Sequence, residues 1–313
     1  MELKKVAITE NQKKVIEDKY LKDSPSVEAW LDLVSNNIAL AELLYDPEIK
    51  EEDIFNNINY KVNEYETLPG IKTRAVFLHQ NFQHYDEWDT NFKKFIDNLY
   101  KLSETEKGRT ITKPIREKFY EMLSNFEFLP NSPTLMNAGR RLQQLSACYV
   151  LPVGDSIEEI FDSVKHAAMI HKGGGGTGFS FSRLRPSHDP VKSTHGVASG
   201  PLTFMQIFDK QTDVVKQGGT RRGANMGILR YDHPDILGFI NMKKTPGVME
   251  NFNVSVAIDK KFMEKVKNNE DYDLINPRTK EAVGKLNAKD VWESMIKGAW
   301  ETGDPGFVVI DRI

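Results

Sequence analysis

The chemically distinctive residues of this chain are a thiol, a carboxylate, a glycine run and a basic turn, in that order. Cys148 is the only cysteine of the 313 residues and lies in an apolar run, and Asp155 follows it closely. The glycine run spans residues 173–176, and the glycine-rich turn at residues 217–225 carries two adjacent arginines. A thiol can donate electrons, glycine lets a backbone approach phosphate, and arginine binds phosphate through its planar fork. This combination indicates redox chemistry on a nucleotide.

Each of these features also has an ordinary structural explanation, and the sequence leaves both open. A lone cysteine in an apolar strand is usually a small core residue. The glycine run could end a helix or cradle a phosphate with its amides, and it lacks the Lys-Ser/Thr that follows a Walker A loop. Asp155 could favour a helix N-terminus or accept hydrogen bonds from a ribose.

Hydroxyl and basic side chains occur in further loops. Ser132 and Thr134 flank a proline, where hydroxyls usually satisfy the local backbone but can also donate to a phosphate. Arg183 and Arg185 end a predicted strand. These two arginines, like the pair in the 217–225 turn, are either solvated or available to an anion.

Composition limits the classes of protein to which the chain can belong. Hydrophobic residues make up 39% and charged residues 28%, with a formal net charge of −3, so we expect a soluble globular protein without a nucleic-acid partner. No apolar run reaches the roughly 20 residues of a membrane helix, and the N-terminus lacks a secretory segment, so no membrane partner is expected. A single cysteine excludes an internal disulfide and fits the cytoplasm. No Cys/His pattern has zinc spacing, so no metal site is expected.

Hydrophobic periodicity predicts two domains. Residues 1–125 have the pattern of a helical N-terminal domain, and residues 126–313 alternate strands with helices, which predicts an α/β architecture. In the first domain the predicted helices are 27–45, 87–102 and 114–126, with polar connectors at 51–72 and 103–112. In the second, the predicted strands are 147–152, 179–184, 226–230, 252–258 and 307–310, and the predicted helices are 156–171, 202–216, 234–242, 260–267 and 291–300. The apolar strand 147–152 is expected to be buried.

Five segments together resemble the large, catalytic subunit of ribonucleotide reductases. They are residues 128–139, 145–156, 173–186, 195–201 and 216–229, in the family's order and spacing. The motifs are most similar in style to the adenosylcobalamin-dependent, class II branch. The resemblance covers residues 126–313 well and the helical part loosely.

The resemblance implies a substrate site. Cys148 matches the family's first redox cysteine, which lies beneath the ribose 2′ position and supplies one of two reducing electrons. Ser132, Ala147 and Gly176 match positions that line the substrate's phosphates and sugar.

The resemblance also implies an allosteric site for ATP or a deoxynucleotide at the edge of a homodimer. Asp155 and Arg185 match effector-binding positions. The turn at residues 217–225 matches a loop between effector and substrate. Its expected effector-binding residues are Gln217, Arg221 and Arg222. Residues 186–200 match a first specificity loop, and helices 156–171 and 202–216 match dimer-forming helices.

The fold implied by the resemblance is a ten-stranded α/β barrel, of which residues 126–313 would be the first half. The family's radical-bearing cysteine and its second redox cysteine match no residue here. We therefore expect a split-gene product or a truncated chain that is inactive alone, with an open strand edge and a bare apolar sheet face. The expected partners are a C-terminal half, a second copy and a thioredoxin-type reductant, and the expected cofactors are adenosylcobalamin and ATP or dNTP effectors.

Two other functions remain open from the residues. The chain could be a non-catalytic nucleotide-binding regulator that keeps the effector site, or a phosphate-binding enzyme that uses no radical. Within the reductase interpretation, the sequence leaves open whether cobalamin or a metal-containing partner subunit generates the radical, and whether the substrate is a diphosphate or a triphosphate.

Overall fold

The computed structural model of the chain describes residues 3–58, 61–68, 71–77, 85–191, 196–215 and 223–313. Its contacts divide it into two compact units, Met1–Leu145 and Ser146–Ile313. Residues 126–145, which the sequence assigned to the second domain, belong to the first of these units. No helix in the described ranges is long and apolar enough to cross a membrane.

The first unit is mainly helical. Its elements are α1 (Glu10–Ile16), a π-helical turn (Glu17–Leu21), α2 (Val27–Ala39), a 3₁₀ turn (Leu40–Leu44), α3 (Glu51–Ile54), β1 (Lys61–Leu68), β2 (Ile71–Phe77), α4 (Tyr85–Ser103), α5 (Glu106–Ser124) and α6 (Ser132–Asn137). Strands β1 and β2 form an antiparallel pair. A core cluster that includes Trp30, Leu31 and Leu123 joins α2, α5 and α6.

The predicted helix at 27–45 is confirmed as α2 with its 3₁₀ extension, and Ser26 caps its N-terminus by accepting a hydrogen bond from the Ala29 N–H. Both predicted connectors are wrong. Residues 51–72 contain α3 and most of the β1–β2 pair, and α5 begins at Glu106 rather than at Pro114. The Thr105 hydroxyl accepts from the Gly108 N–H and starts α5 early, so Pro114 lies inside the helix.

The second unit alternates strands and helices, as predicted. Its elements are β3 (Cys148–Leu151), α7 (Ile157–Lys172), β4 (Gly176–Ser180), β5 (Pro190–Val191), β6 (Gly196–Val197), α8 (Pro201–Val214), β7 (Asn225–Arg230), α9 (Ile236–Asn241), a 3₁₀ turn (Met242–Lys244), β8 (Phe252–Ile258), α10 (Lys260–Asn268), β9 (Asp271–Ile275), β10 (Ala282–Asn287), α11 (Ala288–Thr302), β11 (Gly306–Val309) and a final 3₁₀ turn (Ile310–Arg312). The hairpins β5–β6 and β9–β10 were not predicted.

Five parallel strands form the central sheet of this unit, in the order β11-β8-β7-β4-β3. One sheet face packs on helices through a large apolar cluster that includes Phe179, Leu229 and Val256. The predicted strand 179–184 is wrong in position: β4 begins at Gly176, because the glycine-rich backbone there pairs with β3 and β7. The predicted α/β class is confirmed, and the structure adds that the sheet is parallel.

Candidate functional site

Cys148 opens β3, whose only strand neighbour among the described residues is β4. In the parallel register Cys148 lies opposite Gly176, and the Gly176 N–H donates to the Ala147 carbonyl oxygen at 2.7 Å. The thiol is unpaired and exposed. The fold therefore brings together three of the four predicted substrate residues at the start of two adjacent strands.

The predicted burial of this strand is wrong. Cys148 is exposed and Val150 is 87% exposed on the same face, while Leu151 packs against the apolar core on the other. The reason is that β3 lies at the sheet edge and nothing among the described residues covers this face at β3. The expectation of an open strand edge with a bare apolar face agrees with this arrangement.

The glycine run ends a helix and does not cradle an anion. The amides of Gly173, Gly174, Gly175 and Gly176 all donate to backbone carbonyls, those of Ile170, His171, Ile170 and Ala147. Gly174 has φ +85°, which glycine adopts without strain. Because all four amide donors are used, the phosphate-cradle interpretation of this run is wrong. Gly176 differs from the other three glycines because it is the first residue of β4 and not part of the helix end.

Asp155 and Arg185 form an ion pair. The Arg185 backbone N–H and its side-chain Nε–H donate to the two Asp155 carboxylate oxygens at 3.0 and 2.8 Å, and each side chain is 27% exposed. Ser156, not Asp155, caps α7, since its hydroxyl accepts from the Glu159 N–H at 3.2 Å. The two predicted effector residues that the structure describes therefore lie in direct contact.

The hairpin β5–β6 that follows Arg185 is held by partly or fully buried polar contacts that sequence reasoning missed. Ser187 donates to Asp235 from its N–H at 2.9 Å and its hydroxyl at 2.7 Å. Buried Asp189 accepts from Arg278 Nε and Asn276 Nδ2, both at 2.8 Å. The Arg278 guanidinium holds the pKa of Asp189 below its usual value. No sequence signal identified these partners, because they lie far from the hairpin along the chain.

Ser132 lies in the first unit, at the start of α6. Its hydroxyl is 3.2 Å from the Tyr20 hydroxyl. Thr134 is buried and its hydroxyl donates to the Leu145 carbonyl at 2.6 Å, so it satisfies the local backbone. The structure thus separates the two candidate hydroxyls, leaving only Ser132 with a contact that could be exchanged for a ligand.

Three predicted effector residues, Gln217, Arg221 and Arg222, lie outside the described residues. The described chain resumes at Gly223, directly before β7. The sheet face that carries Cys148 and Val150 is called the open sheet face below. A cavity of about 890 Å³ lies on this face, at the carboxyl ends of the strands. Its polar lining includes Ser182, Arg183, Arg230 and Asp155.

Two protein-family models match this chain. A family model described as "Ribonucleotide reductase, all-alpha domain" matches residues 7–143, and one described as "Ribonucleotide reductase, barrel domain" matches residues 146–313. These two matches define the class of protein: an all-alpha domain followed by a barrel domain. The chain belongs to the ribonucleotide reductase family, which confirms the family predicted from the sequence.

Individual relatives carry a more specific name. A vitamin B12-dependent ribonucleoside-diphosphate reductase of Thermoplasma acidophilum is 46% identical over 98% of this chain and 40% of its own length. A protein of the same name from Mycobacterium tuberculosis is 45% identical over 63% of this chain and 29% of its own. A vitamin B12-dependent ribonucleotide reductase of Streptomyces clavuligerus is 34% identical over 72% of this chain and 27% of its own. The chain thus spans less than half the length of these relatives.

Proposed function

We propose that this chain supplies one redox thiol, part of the substrate surface and the effector site of a ribonucleotide reductase. The observation that carries the proposal is the position of Cys148: an exposed thiol beside Gly176 on an open sheet face. A buried structural cysteine would be inert, whereas an accessible one can take part in thiol–disulfide chemistry.

The electron balance of the proposed reduction shows that a second thiol is required. Replacing the 2′ hydroxyl of a ribonucleotide by hydrogen releases water and consumes two electrons, which two thiols supply as they close to one disulfide. Cys148 is the only thiol in this sequence, so the second must come from another part of the protein or another polypeptide. We propose that a C-terminal half provides it, that a thioredoxin-type reductant reopens the disulfide, and that the reaction takes place in the cytoplasm.

The substrate surface in this proposal is built from backbone. The Ala147 carbonyl, which accepts from Gly176, has a second lone pair for a sugar hydroxyl. Gly176 leaves room for the sugar beside the thiol because it has no side chain. Ser132 donates to a substrate phosphate in place of its contact with Tyr20.

The effector site in this proposal centres on Asp155. Arg185 uses two acceptor positions of this carboxylate, and those that remain can accept ribose hydroxyls of ATP or a dNTP. Gln217, Arg221 and Arg222 complete the site as predicted from the sequence. Exposed apolar side chains on α7, Ile157 and Phe161 among them, would pack against a second copy.

The cofactor proposal rests on the names of the relatives. Adenosylcobalamin, when bound, supplies the radical that begins nucleotide reduction. The described residues offer no support for a cobalt ligand among the two buried histidines. His171 and His233 each use both ring nitrogens in internal hydrogen bonds. We therefore assign no residue to the corrin and derive no step through it.

Complementation tests the proposed function. The chain is mixed with the part of the Thermoplasma acidophilum relative beyond the region aligned with it, together with adenosylcobalamin, a dithiol and a ribonucleotide. Deoxynucleotide formation is expected only when both polypeptides are present, and Cys148→Ser should abolish it. Turnover that survives Cys148→Ser would contradict the role of this thiol, and nucleotide binding without any turnover would favour a regulator.

A further inference from the structure

A buried polar network lies where β4 and β7 begin, close to the Cys148–Gly176 pair. Its members are His171, Thr177, Asn225 and Thr212, all buried. His171 Nε2 lies 2.9 Å from the Thr177 hydroxyl, which is 2.7 Å from Asn225 Oδ1. Asn225 Nδ2 lies 2.7 Å from the Thr212 hydroxyl, which is 2.8 Å from the Phe208 carbonyl. The network thus connects the end of α7 to α8 through the first residues of two strands.

One backbone carbonyl fixes the direction of every hydrogen bond in this network. The Phe208 carbonyl can only accept, so the Thr212 hydroxyl donates to it and must accept from the Asn225 amide. The Asn225 oxygen then faces Thr177, whose hydroxyl donates to it. The Thr177 hydroxyl has one proton, which it donates to Asn225. It can therefore only accept from His171, and Nε2 must be the donor. The imidazole is therefore held as the Nε2–H tautomer.

The second ring nitrogen agrees with a neutral imidazole. Gln211 Nε2 lies 3.3 Å from His171 Nδ1, which accepts from it in this tautomer. Gln211 Oε1 is buried and has no hydrogen-bond partner in the described part of the chain. Burial lowers the pKa of His171, and the Ala224 carbonyl opposes this only in part.

The same network fixes the backbone on two sides. The Thr177 N–H donates to the Ala224 carbonyl at 3.0 Å, and a Cβ on Gly176 would lie 3.3 Å from that oxygen. A Cβ on Gly223 would lie 2.8 Å from the His171 ring, so the ring sets how closely the chain approaches before β7. Gly176, the glycine proposed to line the substrate, lies on the first side. Gly223, on the second side, is where the described chain resumes after the proposed effector residues.

We propose that Thr177 and His171 are positioning residues that couple these two sides, so that the state of the Gly223–Asn225 backbone is transmitted to Gly176. The inference rests on the proposed function, because it assigns the coupling to effector and substrate. A hydroxyl at position 177 is the central link, since it accepts from one side and donates to the other. Its removal leaves a buried donor on His171 and a buried acceptor on Asn225 unpaired.

The experiment compares Thr177→Val, which keeps the shape and removes the hydroxyl, with Thr177→Ser, which keeps the hydroxyl. Thr112→Val is the matched control, because Thr112 is also buried and its hydroxyl donates to a helix carbonyl in the first unit. In the complemented protein we measure the factor by which a dNTP effector changes substrate affinity, and separately the effector Kd. Thr177→Val should reduce the coupling factor by about tenfold and leave the effector Kd within about twofold. Thr177→Ser and Thr112→Val should retain the coupling.

Three results would overturn the proposal: full coupling in Thr177→Val, equal loss in Thr177→Ser, or an effector Kd that weakens in parallel with the coupling. Wild-type protein without nucleotide binding would instead refute the proposed function itself. The tautomer has its own test, which needs no activity. ¹⁵N NMR of the histidine ring nitrogens at pH 7 should show His171 protonated at Nε2 alone, and protonation at Nδ1 would refute the directed network.

Discussion

Cys148 and Gly176 occupy the same level of the parallel sheet, side by side at the first residues of β3 and β4. The thiol therefore borders a position without a side chain. The carbonyl oxygens of Ala147 and Ala224 border the space that a side chain at position 176 would occupy. This relationship depends on strand register, since a shift of one residue toward the C-terminus of β4 would place Cys148 beside Thr177.

Gly176→Ala should impair nucleotide reduction more than folding. The added Cβ would lie 3.3 Å from the Ala224 oxygen and 3.7 Å from the Ala147 oxygen, on the approach to the thiol. We expect kcat/KM of the complemented protein to fall roughly tenfold to a hundredfold. Gly178→Ala is the control, because its Cβ would meet only ordinary contacts at 3.9 and 4.0 Å. Equal activity of the two variants would contradict the assignment of Gly176.

Asp155→Asn should weaken effector binding. The Asp155 carboxylate holds Arg185 and, in our proposal, a ribose hydroxyl, so its loss should cost about 1–3 kcal/mol of binding free energy in a nucleotide titration. The unfolding free energy should fall by less than about 1 kcal/mol, since the pair is partly exposed. Asp32→Asn, which breaks a comparable pair with Arg116, should change stability but not affinity. Unchanged affinity in Asp155→Asn would limit Asp155 to a structural role.

Tyr20→Phe should affect Ser132 specifically. The variant removes the hydroxyl that lies 3.2 Å from Ser132 Oγ, and the expected loss of stability is about 0.5–1.5 kcal/mol by urea unfolding. Because Ser132 keeps its hydroxyl in this variant, KM of the complemented protein should stay within about twofold, whereas Ser132→Ala should raise KM by removing the proposed phosphate donor. Tyr45→Phe is the control, since Tyr45 is largely exposed. A KM that rises in Tyr20→Phe but not in Ser132→Ala would contradict the proposed contact of Ser132 with the substrate.

Stability should decrease as the pH falls below about 6.5, the usual histidine pKa. Burial lowers the pKa of both His171 and His233. The Ala224 carbonyl near His171, and the Leu184 carbonyl and then the Asp235 carboxylate near His233, oppose this only in part. As the pH falls, the unfolded chain therefore takes up protons at a higher pH than the folded chain does. The contribution of these histidines to the unfolding free energy is fully present above the unfolded-state pKa and is lost as the pH falls toward the folded-state pKa. Each histidine contributes up to roughly 1.4 kcal/mol per pH unit. Urea unfolding at pH 7.5 and 5.5 measures this loss, and equal stability at both would contradict it.

Val150→Asp should block complementation without unfolding the chain. Val150 lies on the open sheet face, so the substitution should change the unfolding free energy by no more than about 0.5 kcal/mol. A C-terminal half that covers this face would bury the new charge unpaired, so association measured by sedimentation should be lost. Val283→Asp, at an exposed position on β10, should leave association unchanged. Normal association of Val150→Asp would place the partner elsewhere.

The sequence by itself determined the order of the main elements and the α/β character of the second unit. Those features follow from local patterns, such as the apolar periodicity of α7 and the capping hydroxyl of Ser156. It also determined the family, because five ordered motifs are specific when taken together. It missed the hairpins β1–β2 and β9–β10, whose strands are rich in polar residues.

Only the tertiary structure decided what the candidate residues do. Cys148 is exposed because β3 lies at the sheet edge, although its apolar neighbours predicted burial. The sequence left open that the amides of residues 173–176 bind phosphate. In the fold, all four amides donate to backbone carbonyls. Asp155 meets Arg185, and His171 meets Thr177, through hydrogen bonds that chain folding creates. The physical reason is that periodicity reports which side of an element is apolar, whereas exposure and hydrogen-bond partners depend on which elements become neighbours.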